Sequence, residues 1–288
     1  MFNKFIAALL ALLLAACQQS EDARPALWQV DGQNGERAWL LGTIHALPMP
    51  ISLDSPAFDR AITQASGLVV EVAALEDDKR TALIFHKLSA VASAPPLADR
   101  ASAADRAPLA RLLAEAKIPP DRFSQMDTWA AALALGQAIS ARSGDDSGNG
   151  ADRLVLKAMR GKPLTEFEGA ERQLAIFDAL PEAEQRDLLS AVIRSAPDAR
   201  ADNQHLQQAW LSGDVAALEA LDRQGLLADP ELRETLLVSR NSAWIAQLLP
   251  MLQRGEQPLV AVGALHLVGK DGLVALLQAK GFKVSRLQ

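Results

Sequence analysis

Sulfur and phenol chemistry are nearly missing from this chain. Its 288 residues include one Cys, no Tyr and four His. A single Cys excludes a disulfide framework and any C-x-x-C metal or redox motif. Without Tyr, no phenol can act as nucleophile, acid or oxyanion donor. Basic charge is not in excess: 29 Lys and Arg stand against 35 Asp and Glu, a net −6. A general nucleic-acid binder carries a basic stripe, so that class is set aside. A nucleophile elbow is lacking too, because Ser66-Gly67, Ser143-Gly144 and Ser212-Gly213 have no upstream Gly in a strand context, which argues against a Ser/His/Asp hydrolase. No repeat of solenoid length is present. What remains is globular: 49% hydrophobic and 22% charged residues can bury the core of one large domain or two ordinary ones.

The first segment reads MFNKFIAALLALLLAAC. Lys4 supplies a positive start, and the apolar run Phe5 to Ala16 is shorter than a membrane span. Leu14-Ala15-Ala16-Cys17 looks like a bacterial lipobox, in which the Cys is lipidated and becomes the first mature residue. The alternative is a plain signal peptide with a chance Cys. The expected division is a lipoprotein signal peptide over 1–16, a tether over 17–25 and one domain over 26–288. Membrane contact then runs through lipid on Cys17. Gln18-Gln19 lacks the Asp that retains such proteins at the inner membrane. Resemblance to sorted lipoproteins therefore implies the outer membrane, facing the periplasm.

Along the rest of the chain, Leu27–Val30 and Ala38–Ile44 flank Asp31-Gly32-Gln33-Asn34-Gly35, which predicts a hairpin. Ser55 and Pro56 predict the N-cap and first position of a helix running to Ala65. Gly67–Val72 is strand-like by its β-branched content, with Glu71 its one charge. A long Ala/Leu/Arg-rich middle from about Glu76 to Arg160 has helical spacing. It is interrupted by the polar loop Ser143–Gly150. Lys162–Glu168 predicts a strand ending in acids, and Glu171–Gln253 predicts helices with a break at Asp229-Pro230. Pro258–Val262 predicts a strand, Asp271–Lys280 a helix closed by Gly281, and Phe282–Leu287 a last strand. The fold class is α/β, a mixed central sheet with a large helical middle region.

One internal echo stands out. G-x-x-H follows a strand twice, as Gly42-Thr43-Ile44-His45 and as Gly263-Ala264-Leu265-His266, with the two His 221 positions apart. In open α/β sheets ligands sit outside the carboxyl ends of strands, so the two imidazoles can converge there. A pair of imidazoles plus a carboxylate is a normal ligand set for a divalent metal. Glu71, at the end of an apolar strand, is the obvious carboxylate, since a charge there is costly to bury without a cation. Taken singly, each motif is also read as a loop His beside a turn Gly. His86 and His205 sit in helical patterns and are read as helix-surface residues. Trp39, Trp129 and Trp244 are read as core.

These residues resemble a known family. The stretches WLLGTIHALP, LVVEV, GKPLTEFEGAERQLAIFDALP, LLVSRNSAW and GALHLVGKDGLVALLQAKGFKV are similar to the TraB/GumN family, itself similar to the TIKI metalloproteases. More remotely it is similar to erythromycin-esterase-like and ChaN-like α/β proteins. The resemblance runs from about Trp28 to Gln288. It implies that His45 and His266 are metal ligands and that Glu71 is ligand or base. More weakly it implies catalytic roles for Glu168, which precedes a helix containing Gln173, and for Arg240 and Asn241. Departures are Ala73 and Ala74, where another acid is common, and Phe282, where a hydroxylated aromatic is common. Asp152 matches a G-x-D position of the family and is read here as a helix cap.

The resemblance implies a divalent-metal-dependent hydrolase, a peptidase first, acting on a peptide or small-molecule substrate. A bound metal lowers the pKa of its water from 15.7 toward about 7 and polarises a carbonyl. Glu71 or Glu168 would take the water's proton, and Arg240 would hold a substrate carboxylate or oxyanion. Arg240 and Asn241 also read as a surface ion pair with Glu234 or a local cap. Zn, Mn and Co all suit such a ligand set. The rival class is a non-catalytic lipoprotein that binds haem or a peptide. A third possibility is a degenerate family member.

Overall fold

Four parallel strands lie side by side at the centre of the molecule, and their carboxyl ends all open on one edge. The structure is a computed structural model that describes residues 20–74 and 77–288. The signal peptide and Cys17 lie outside the described residues, as does Glu76 at the start of the helical middle. The strands are β1 (Glu21–Asp22), β2 (Leu27–Asp31), β3 (Arg37–Thr43), β4 (Ile51–Ser52), β5 (Gly67–Val70), β6 (Leu164–Glu166), β7 (Pro258–Gly263) and β8 (Lys283–Arg286). The main sheet has the order β6-β5-β7-β3-β2-β8. β6, β5, β7 and β3 pair in parallel, while β2 runs antiparallel to both β3 and β8. This is the mixed α/β fold expected.

Local chemistry explains the elements. β5 and β7 are buried along their length apart from the last residue of β7, as parallel strands covered on both faces should be. The β2–β3 hairpin turns at the Asp31–Gly35 segment, with Gly35 at φ 92° in the left-handed region that glycine tolerates. Ser55 caps the helix Pro56–Gln64, its side chain accepting from the Phe58 N–H. Asp229 likewise caps the helix Pro230–Arg233 through two backbone N–H groups, which is why the helical run breaks there. His86 and His205 lie exposed on the helices Asp78–Ser89 and Ala199–Ser212.

Two apolar clusters form. One packs around the sheet and includes Leu27, Trp39, Val69, Trp210, Trp244 and Val260. The other lies among the helices and includes Leu109, Phe123, Trp129, Leu188, Ile193 and Leu236. The stretch read as a tether is partly folded onto the domain: β1 pairs in parallel with β4, and Ala23 is buried. No helix among the described residues is long and apolar enough to cross a membrane.

Candidate functional site

Strand order places the site. Reading across the sheet from β6 through β5 and β7 to β3, the residues just past the strand ends are Glu168, Glu71, His266 and His45. The chain reaches each by a different route. Phe167 N–H bonds the Val70 carbonyl, and Glu168 and Gly169 N–H both bond the Glu71 carbonyl, so β6 delivers Glu168 beside Glu71. β7 ends at Gly263 and passes into a single 3-10 turn, Ala264–His266. That turn lies tight on β3: a Cβ on Gly42 would sit 3.0 Å from the Ala264 Cβ. The first Gly of the first G-x-x-H is therefore a close-approach residue within the strand, and it makes no turn.

His45, Glu71, Gln173, Arg240 and His266 line one cavity of about 260 Å³. The sequence-predicted residues thus come together at one strand edge. His266 is buried, and its Nδ1 lies 2.6 Å from Asn241 Oδ1. Asn241 Nδ2 donates to the carbonyls of His266 and Asp271, which orients the amide so that Oδ1 can only accept. His266 Nδ1 therefore carries its proton and Nε2 keeps its lone pair, accepting from Arg240 Nη1 at 3.2 Å. His45 is tied differently. Its Nδ1 donates to Asp152 Oδ2 at 2.5 Å, while 65% of its side chain stays open to solvent. Asp152 stands in the first turn of the helix Ala151–Ala158, where Gly150 occupies the cap position, and its Oδ1 accepts from the Arg153 N–H at 2.9 Å. The cap reading is therefore incomplete: Oδ1 serves the helix's first turn while Oδ2 fixes the His45 ring.

Arg240 leaves its own helix, Ser239–Gln253, and enters the cleft. Its Nε donates to Glu168 at 3.0 Å, and Nη2 donates to Glu71 Oε2 at 2.7 Å and Glu168 Oε2 at 2.9 Å. Nη1 donates to the Leu236 carbonyl at 3.1 Å as well as to His266. That carbonyl belongs to the π-helical turn Glu234–Val238, a rare distortion that tends to mark functional sites. Glu234 is bonded instead to Ser239, so the surface ion pair considered for Arg240 gives way to the cleft. Glu71 is only 7% exposed. Its Oε1 accepts from Gly263 N–H and its Oε2 also accepts from Gln173. Trp244 is core, as expected, but does more: its Nε1 donates to Glu168, its ring tilts against His266 at 4.4 Å, and the Arg240 guanidinium lies 4.7 Å over it.

The charges are set by these contacts. Burial raises the Glu71 carboxyl, but the fields of His266, Arg240 and His45 and the Gly263 N–H bring it down to about 2. Burial dominates at His266; the pull of Glu71 is opposed by Arg240 and His45, and the pKa falls to about 4. The crowded cleft disfavours charge on His45, yet the bond to Asp152 and the charges of Asp152 and Glu71 outweigh it, raising the pKa to about 9. Burial opposes charge on Arg240 too, and its two carboxylate partners more than restore it.

The uncharacterized protein YbaP of Escherichia coli K12 is 28% identical over 251 residues, covering 83% of this chain and 87% of the relative. The Shigella flexneri protein of the same name matches to the same extent. No solved structure matches significantly. The TraB/PrgY/gumN family matches residues 26–286, a span that holds both G-x-x-H turns, Glu71, Glu168 and Arg240, and the chain belongs to that family.

Proposed function

We propose that this chain is a hydrolase that cuts an amide bond, first of all in a peptide, at the edge formed by β5, β7 and β3. The observation that carries the reading is the pair of imidazoles from opposite ends of the chain. Each has its Nδ1 committed to a partner, which leaves Nε2 as the nitrogen for chemistry.

A divalent metal fits this donor set in part. His45 Nε2 and His266 Nε2 would hold it, with Glu71 Oε1, which accepts one N–H, as the carboxylate. Among the described residues, no three His, Cys, Asp or Glu side chains stand close enough to hold an ion as they are. Closing the shell requires Arg240 Nη1 to release His266 Nε2, and the His45 ring, charged below about pH 9, to give up its Nε2 proton. When bound, such an ion supplies an activated water and a polarised carbonyl. The chain's own residues do the rest. Asp152 and Asn241 orient the rings, Gln173 and Gly263 N–H hold Glu71, and Arg240 fixes Glu71 and Glu168 together. Arg240 is a positioning residue in this reading, because its N–H groups are engaged by the protein. The cavity volume speaks against the haem-binding alternative. At about 260 Å³ it falls below the roughly 300–1,000 Å³ of sites that enclose drug-sized ligands.

The reading includes a lipid on Cys17 and a place at the outer membrane facing the periplasm. The test uses the full chain purified in detergent: metal content, and cleavage of a peptide mixture with and without chelator. One divalent ion per chain, lost in His45→Ala and His266→Ala together with cleavage, is expected. Cleavage that ignores the chelator, or metal content indifferent to both substitutions, overturns the proposal.

A further inference from the structure

Two kinds of side chain line the cavity. The strand ends supply the imidazoles and Glu71, and the helix Ser239–Gln253 adds Arg240. The same cavity is lined by Leu206, Trp210, Leu227, Leu236, Leu237 and Leu265, contributed by the helices and by the turn that also carries His266. Among the helical residues that line it, Arg240 alone is charged.

Arg240 and Trp210 have no donor spare for a charged ligand, and His45 Nε2 is the nitrogen kept for the reacting group. A guanidinium has five N–H groups, and Arg240 directs them at Glu168, Leu236 O, His266, Glu71 and Glu168 again. Trp210 gives its single N–H to the Gly42 carbonyl at 2.8 Å. Gln173 gives an amide N–H to Glu71. A carboxylate or ammonium seated against the leucines would lose water and gain no partner, which is costly. An aliphatic group would lose water at a gain. The space of about 260 Å³ suits one side chain and its adjoining carbonyl better than a whole ligand.

We propose that this cavity is the specificity subsite of the hydrolase and seats one uncharged, leucine-sized side chain beside the scissile carbonyl. The inference rests on the hydrolase reading for its chemistry, but its test is binding. The full chain in detergent is titrated with the N-acetyl amides of Gly, Leu, Asp and Lys by calorimetry, with and without Mn²⁺. The leucine amide binds at least tenfold tighter than the other three. Leu206→Asp, at a half-buried position, removes that preference. Should it fail to fold, Leu227→Ala serves, weakening the leucine amide threefold or more. Equal binding of glycine and leucine amides, or leucine binding unmoved in both variants, overturns the subsite. A leucine preference without cleavage of any leucine-containing peptide leaves the subsite standing and removes the hydrolase. Cleavage indifferent to the side chain does the reverse.

Discussion

Arg240 holds two buried carboxylates, Glu71 and Glu168, with only 12% of its own side chain exposed. Removing one member of such a cluster leaves the others charged and without a partner in a poorly solvated place, a cost of about 3–5 kcal/mol. Arg240→Met is therefore expected to destabilise the chain by about that amount in urea unfolding. Arg240→Lys recovers only a fraction, because an ammonium has three donors where the guanidinium fills five positions in a planar fork. The same two variants separate a structural cation from a substrate-holding one. If the urea midpoint of Arg240→Met matches the parent, the buried carboxylates do not depend on Arg240 and its place in the cleft has another purpose.

The elements that carry the site meet across a single glycine. Gly150 ends the 3-10 turn Ser147–Asn149 and caps the helix Ala151–Ala158, while Ala151 N–H bonds the Ile44 carbonyl at 2.9 Å. A Cβ on Gly150 would lie 2.5 Å from the His45 carbonyl oxygen and 2.5 Å from Asp152 Oδ1. Backbone cannot yield that distance, so Gly150→Ala must push the His45 loop away from the helix that bears Asp152. The expected outcome is a His45 ring pKa falling from about 9 toward the ordinary 6.5, followed by NMR titration of the ring protons. An unchanged pKa would mean that Asp152 is not what sustains the charge. Elements of this kind were legible in the sequence unequally. The hairpin, the buried strands and the Ser55 and Asp229 caps follow from β-branched runs and turn residues a few positions apart. Both G-x-x-H turns and Glu71 stand out because a polar residue ends an apolar strand. Asp152 does not, since an acid two residues after a Gly at a helix start reads as a cap, and its partner lies 107 positions away. The five acceptors of Arg240 are equally hidden, with Glu71 169 positions distant. Leu236 and Leu237 look like any core pair on a helix until the π-helical turn brings them to the cavity.

At the scale of the molecule, the cavity lies where the sheet core and the helical core meet, so it exists only while both are folded. The two cores do not meet acid in the same way. In the helical core, Asp105 joins the helix Arg106–Ala116 to the helix Glu182–Ser195 by bonding Arg194 at 3.0 and 3.1 Å, and it also accepts from Ser102. Burial raises its carboxyl, but the bonds from Arg194, Ser102 and Ser190 and the charge of Arg194 outweigh this and hold it below the ordinary 3.8. A carboxyl whose folded pKa is depressed stabilises fully above its unfolded value and loses that contribution as pH falls through the folded value. The Asp105 contribution is therefore complete above about pH 4 and drains below it. Amide protection in those two helices should then fall only below about pH 4 when hydrogen exchange is followed from pH 7 to pH 3. The sheet edge answers over a higher range, because His266, held at about 4 against the ordinary 6.5, takes stability from β7 as pH falls between those values. In Asp105→Asn the helices start less protected at pH 7, and the acid-dependent part of the loss shrinks. If the variant keeps the parent's full pH dependence, the ion pair is not what couples the helical layer to acid.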